Sequence, residues 1–424
     1  MKKALVLIAV LVLLLGAMGV SAQDVEITYW DTMNDQERVV FQEIVDACAA
    51  DLGITVNYEY VPFDQAQATY RTAAQAGNAP DVLRTEVAWG PEFAAAGYTY
   101  DITDWVTEEE RASYLDAPFN YNTWGGRVWG LPQVTDAPAL LYNRALFEQA
   151  GLDPDVPPAT MEELATAAAA ISALGTEDAP IYGILTPAAA YFFQPFMWAF
   201  GGSLIVPNED GTYTIGINSE GTLAGLNFVI GLLESGVMGP DYDPANQYGN
   251  NQAAFKEGRA GMLINGPWAT SDILRGEAFT DRANLGVAPI PAGPEGLQGS
   301  PVGGHGYTIY AGSAYPQEAL NFVRCLNGVD NQVRLAAELN LVPTLRAAYE
   351  NETLAENAIL QGFLAQMEVA TNRPVLVAGG SIYAEFGPQY DAAILGQTEP
   401  QTALDNIAAA WELLLQNEPT PPGM

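Results

Sequence analysis

The chain has 424 residues, with 16 lysines and arginines against 51 aspartates and glutamates and a formal charge of −35; nucleic acid and anionic membrane surfaces are therefore poor candidate partners. About half of the residues are apolar (49%) and no low-complexity tract appears, so a chain of this length can bury two sizeable cores and is read as two domains. The first residues, Lys2-Lys3, an apolar run over 4–20 and the small residues of Val20-Ser21-Ala22, have the three parts of a secretory signal peptide, residues 1–22, cut after about Ala22. No cysteine lies at that junction, so no lipid anchor is indicated, and the exported product is expected in the periplasm or on the exterior of the cell envelope. Removal of the two lysines leaves 14 basic residues against 51 acidic, a formal charge of −37, with Lys256 as the only remaining lysine.

Residues 25–30 alternate like a strand, and Asn34 followed by Glu37 has capping-box spacing for a helix that carries Val40, Phe41, Ile44, Val45, Cys48 and Leu52 and stops at Gly53. A strand over 54–60, a helix over about 64–76 ended by Gly77, and a strand starting at Pro80-Asp81-Val82-Leu83 complete a strand-helix-strand-helix-strand run, the pattern of parallel βαβ units. A second α/β region begins after about Gln133, with Thr160 and Glu163 again at capping-box spacing, a helix over 218–234 and a strand over 285–291 entering a Pro/Gly-rich crossover through Gly304. From Ala355 onward the pattern is mainly helical, with a loop over 374–381, and no internal repeat is present. Cys48 and Cys325 both fall inside expected helices without the spacing of a disulfide scaffold or a metal site; they are read as two buried thiols, with a bridge left open because sequence does not give their Cα separation.

The most telling local motif is Asn265-Gly266-Pro267-Trp268, after a helix ending at Gly258 and a short strand over 260–264. Such a turn delivers an indole to the end of a strand, where open α/β sheets place their ligands, and a pyranose needs a flat apolar face. His305, the sole histidine, is read as structural or ligand-lining, because no serine or cysteine nucleophile motif accompanies it. Phosphate-cradling glycines, zinc-ligand spacings and nucleophile elbows are absent, so neither an enzyme nor a cofactor or metal site is expected.

Taken in order, Ala79-Pro80-Asp81-Val82, Gly130-Leu131-Pro132 with Leu141-Tyr142-Asn143-Arg144, Phe147 through Gly151-Leu152, Phe255-x-x-Gly258 and Asn265-Gly266-Pro267-Trp268 resemble the carbohydrate-binding proteins of ABC importers, the maltose/maltodextrin-binding group. The resemblance implies an α/β type II clam-shell of the periplasmic-binding-protein kind. Each lobe would be a mixed, mostly parallel sheet flanked by helices, with several crossovers between lobes. One lobe would comprise 23–134 and 304–345, the other 135–303 and 346–424, with hinges near 134–137 and 302–306 where Gly303, Gly304 and Gly306 accept unusual dihedrals. It implies an oligosaccharide ligand, a transmembrane permease as partner, no cofactor, and a monomer. A polyol, a glycerophosphodiester or another small solute is the alternative ligand, and a secreted glycosidase the alternative class.

The resemblance also implies site residues. Trp268 takes the stacking position, Tyr191 and Tyr383 the positions of further aromatics, and Asp136 that of an acid accepting sugar hydroxyls. Asn34 and Asp35 lie where polar groups reach the sugar from the other lobe. Gly304 and His305 line the cleft at the crossover. In the loop after Asp81, where the family has an aromatic and a charged pair, Glu86 and Trp89 stand nearby, with Thr85 and Ala88 in the matching slots. The basic residue that the family carries near Gly387 is missing.

Overall fold

A computed structural model describes residues 25–187, 189–208, 212–239 and 247–419; the expected signal peptide lies outside them. The opening run folds as β1 (Glu26–Asp31), α1 (Asp35–Leu52), β2 (Thr55–Tyr60), α2 (Phe63–Gln75) and β3 (Val82–Glu86). The first helix starts with a complete capping box: Asn34 accepts from the backbone of Gln36 and Glu37, while the Glu37 carboxylate accepts the Asn34 N–H. It ends on Gly53 at φ 65°, a left-handed conformation that costs glycine little. The later strands are β4 (Gly130–Asp136), β5 (Ala139–Asn143), β6 (Tyr182–Leu185), β7 (Ala260–Asn265), β8 (Leu285–Ala288), β9 (Gly303–Ile309) and β10 (Val342–Pro343), apart from two small hairpins. The later helices include α3 (Ala190–Ala199), α4 (Gln247–Lys256), α5 (Pro316–Leu326), α6 (Ile382–Ile394) and α7 (Pro400–Leu415).

Two sheets form. One has the order β10-β4-β9-β3-β1-β2 and the other β8-β5-β7-β6. Parallel pairing is confined to β1 with β2, β1 with β3, and β6 with β7. The strands that enter or leave at a crossover (β4, β5, β8, β9 and β10) pair antiparallel, so the sheets are mixed with a smaller parallel share than the βαβ pattern implies. The reason is topological: a chain returning from the other sheet inserts a reversed strand without needing a helical crossover. The strand expected over 285–291 stops at Ala288, because Pro289 and Pro291 offer no ladder N–H.

The first crossover runs from Asp136 through Ala137 and Pro138 into β5, where Ser300 donates to the Pro138 carbonyl at 2.6 Å. The second returns from β8 into β9. There Gly304 adopts φ 133°, and a Cβ on it would lie 2.3 Å from the Val134 carbonyl, so only glycine fits. One residue later the register slips: His305 pairs with Val134 but Gly306 pairs with Pro132, which leaves Gln133 as the extra residue of a β-bulge.

Each sheet has its own apolar core. Ile27, Tyr29, Phe41, Ile44, Leu131, Tyr307, Phe322 and Val323 pack on the six-stranded sheet. Leu140, Ile184, Phe193, Phe196, Ile264, Phe386 and Trp411 pack on the four-stranded one. The reading of two free thiols is corrected: Cys48 of α1 and Cys325 of α5 form a disulfide, with Cα atoms 5.8 Å apart. The two helices are neighbours on one face of the six-stranded sheet, and a separation of 277 residues in sequence hides that adjacency. Among the described residues no helix is long and apolar enough to cross a membrane.

Candidate functional site

The two sheets meet along a seam, and each side brings different chemistry to it. On the four-stranded side, β7 ends at Asn265 and the chain turns through Gly266 into a short 3₁₀ turn over Pro267–Ala269. The Trp268 ring folds back over Gly266 so closely that a Cβ there would lie 2.0 Å from the indole. Its Nε1 donates to the Tyr248 hydroxyl of α4 at 3.0 Å. From Tyr248 a row of rings continues through Phe192 (centroids 6.1 Å apart), Tyr191 (5.5 Å) and Tyr383 (6.4 Å). The Tyr383 hydroxyl is fixed by the Gln194 amide at 2.9 Å. This is a neutral aromatic strip with hydroxyls along its edge, suited to the faces and edges of a polyhydroxylated ring.

Across the seam the groups are polar and mostly buried. The Asn34 amide donates to the Trp268 carbonyl at 3.1 Å, a direct bond between the two sides. Glu86, at the end of β3, pairs with the Arg373 guanidinium, which also donates to the Val302 carbonyl at 2.9 Å and lies 5.5 Å over the Tyr191 ring. Asp136, the last residue of β4, converges with the Tyr191 hydroxyl on Gly303, where a Cβ would sit 2.3 Å from one and 2.8 Å from the other. Burial pushes the Asp136 carboxyl up to about 7, opposed by Arg373 and helped by Glu86, so near neutrality it both donates and accepts. Glu37 is likewise pushed to about 7 by burial, against the pull of Arg84. The His305 imidazole is held neutral by burial and by Arg84 and Arg373. Both of its ring nitrogens are buried without a hydrogen-bond partner.

Seven sequence-derived residues, Asn34, Glu86, Asp136, Tyr191, Trp268, Gly304 and His305, lie along this seam, with Tyr383 at the end of the aromatic row. Trp89 does not stand free as a platform. It is 6% exposed, packs in a core with Ala66, Tyr70, Leu83 and Phe93, and stacks on Phe63 at 5.2 Å, because the turn after β3 rolls its indole under α2. Asp35 opens α1. Sequence reading misses Arg373, Arg84 and Tyr248. Arg84, only 4% exposed, donates to Gln133 Oε1 at 2.6 Å and Thr32 Oγ1 at 2.8 Å. Arg373 supplies a guanidinium from the loop ahead of α6, although the position near Gly387 has none; no local pattern marks it, since its partner is 287 residues away. Among the described residues no group of three or more histidines, cysteines and acids could hold a metal ion.

The sequence pattern of the family described as bacterial extracellular solute-binding protein matches residues 34–333. The maltotriose-binding protein of Pyrococcus abyssi is 25% identical over 84% of this chain and 75% of its own length. The GacH receptor of Streptomyces glaucescens, solved unliganded and with acarbose, superposes with a TM-score of 0.86 at 32% identity, covering 93% of this chain and 99% of that one. Maltose-bound MalE3 of T. maritima superposes at 0.82 with 26% identity, over 92% and 100%. The fold is that of the two-lobed periplasmic binding proteins.

Proposed function

The chain belongs to the bacterial extracellular solute-binding protein family, and on that premise we propose that it is an exported receptor that captures a neutral oligosaccharide of the maltodextrin kind by closing its lobes. The observation that carries this reading is the aromatic row from Trp268 to Tyr383 facing buried polar groups across a seam bridged by the bond from Asn34 to Trp268. The rings offer flat faces, and Asn34, Asp136 and His305 offer hydrogen bonds at the sugar's edge. Glu86 and Arg373 are committed to each other and frame the floor.

Capture needs no chemistry of its own. A sugar held on one lobe adds contacts to the other, and only that differential affinity favours the closed form. The rigid bodies we propose are 23–134 with 304–345, and 135–303 with 346–424; segments 134–137 and 302–306 absorb the dihedral change, with Gly304 already outside the range of other residues. The closed receptor, a monomer, then hands its load to the permease of an ABC importer and hydrolyses nothing itself. Export after removal of residues 1–22 accords with the disulfide, which persists in oxidising compartments.

Titration calorimetry of the purified protein with maltose to maltohexaose, paired with small-angle scattering, tests the reading. We expect saturable heat with a dissociation constant of about 1 μM, worth roughly −8 kcal/mol, compaction on binding, and no product release. Absence of heat with every saccharide, or hydrolysis of one, overturns it.

A further inference from the structure

Three side chains that the proposed site does not use lie along the seam near the start of α1. Gln133 is 1% exposed, Asn265 0% and Glu37 3%. Each spends one atom on the protein and keeps another buried without a partner. The Gln133 Oε1 accepts from Arg84, which leaves its Nε2 unpartnered. The Asn265 Oδ1 accepts from the Gly266 N–H at 2.8 Å and faces the Tyr248 hydroxyl at 3.5 Å, which leaves its Nδ2. Glu37 Oε2 accepts from the Asn34 N–H at 3.0 Å, which leaves Oε1. An orphaned buried donor or acceptor costs about 1–3 kcal/mol, so native proteins rarely leave one unmatched without a reason.

The three come from both lobes and are linked through shared neighbours: Glu37 holds Asn34, and Asn34 donates to the Trp268 carbonyl beside Asn265. Arg84, held by Gln133, acts electrostatically on Glu37, and Glu37 acts in turn on Tyr248, which lies against Asn265 and the Trp268 indole. The place is the carboxyl end of β1, the strand from which the chain order runs outward to β2 on one side and β3 on the other, where open α/β sheets bind ligands. Gln133 is the extra residue of the bulge opposite His305 and Gly306.

We propose that Gln133, Asn265 and Glu37 form a hydrogen-bonding subsite that reads a pair of neighbouring hydroxyls on the sugar stacked against Trp268. The two amides donate to hydroxyl oxygens and Glu37 Oε1 takes a hydroxyl proton in a hydrogen bond. Because two donors come from opposite lobes, the full set is available only when the lobes are together, which makes these hydroxyls a condition for closure. This rests on the reading of the protein as a saccharide receptor.

The test is a cycle of variants against deoxy sugars, using maltotriose and its monodeoxy analogues. Gln133→Glu and Asn265→Asp keep the acceptor each residue uses and replace the spare NH2 with a carboxyl oxygen. For the wild-type protein, at least one deoxy analogue should bind about 10- to 100-fold more weakly than maltotriose. In either variant maltotriose should lose a similar factor, and the further penalty for that one analogue should vanish. Equal deoxy penalties in wild type and variants would overturn the proposal, and so would a wild-type deoxy series with no selective loss. If a variant does not fold, Gln133→Met read in the same cycle replaces it. Failure of maltotriose and every other saccharide to bind the wild-type protein is a different result: it removes the proposed function, and the subsite with it.

Discussion

The two faces of the seam are built on opposite principles. On the four-stranded side the groups are rings without charge, positioned by one turn and three helices. On the six-stranded side they are ionisable groups tied into a buried network: Arg84 with Asp31, Thr32 and Gln133, and Glu86 with Arg373, which reaches across from the other side. An apolar face can be lost with little harm to the fold, because its partner is the ligand. A buried charge cannot, since its partner is the protein itself. The rings should therefore answer to binding assays, and the ion-paired residues Arg84, Glu86 and Arg373 to melting temperature.

Among single substitutions the largest effect is expected from Arg373→Met. It strands the buried Glu86 and should cost about 3–5 kcal/mol of stability; adding Glu86→Gln should recover most of that, and a single variant that melts like wild type would erase the contrast. Loss of the bridge between α1 and α5, by Cys48→Ser with Cys325→Ser, should cost about 2–4 kcal/mol, read as a lower melting midpoint that reducing agent does not lower further. Trp268→Ala should reverse the pattern: affinity for maltotriose falls roughly 30-fold, about 2 kcal/mol, while the melting temperature moves by only a few degrees. Equal losses in both would make the indole a core residue.

The response to pH sharpens the distinction. Asp136 and Glu37 are raised by burial to about 7 in the folded chain, above the ordinary value of about 4. Their protonated forms favour the fold, so the stability they contribute is full below about pH 4 and is lost as pH rises toward 7. Melting curves from pH 4.5 to 8 should show this decline, and Asp136→Asn with Glu37→Gln should flatten it. Replacement of Tyr191 by Phe should leave the slope unchanged, because its phenol, raised by burial and by Asp136, does not ionise in that range.

Legibility in the sequence divides along the same line. The capping boxes at Asn34 and Thr160, the stop at Gly53 and the turn that carries Trp268 are signals within a few residues, and the structure forms each of them. Asp136 and Tyr191 are marked only by family resemblance, and their convergence on Gly303 has no local sign. Glu86 with Arg373, the bridge from Cys48 to Cys325, and Tyr248 beneath Trp268 depend on how distant segments stack. The bulge at Gln133 depends on a register slip between strands that are adjacent only after folding. Polar networks are the least legible part of this chain because their partners are chosen by topology rather than by spacing.

The disulfide carries one more consequence, for the order in which the protein is made. Cys48 emerges early and Cys325 only 277 residues later, after every strand of the four-stranded sheet has been synthesised. A polypeptide threaded from its amino end must keep the first thiol waiting through that interval, so the strands of the inserted sheet can pair before its host is sealed. The covalent clasp is thus a mark of passage: only a molecule whose chain has arrived as far as Cys325 can fasten it.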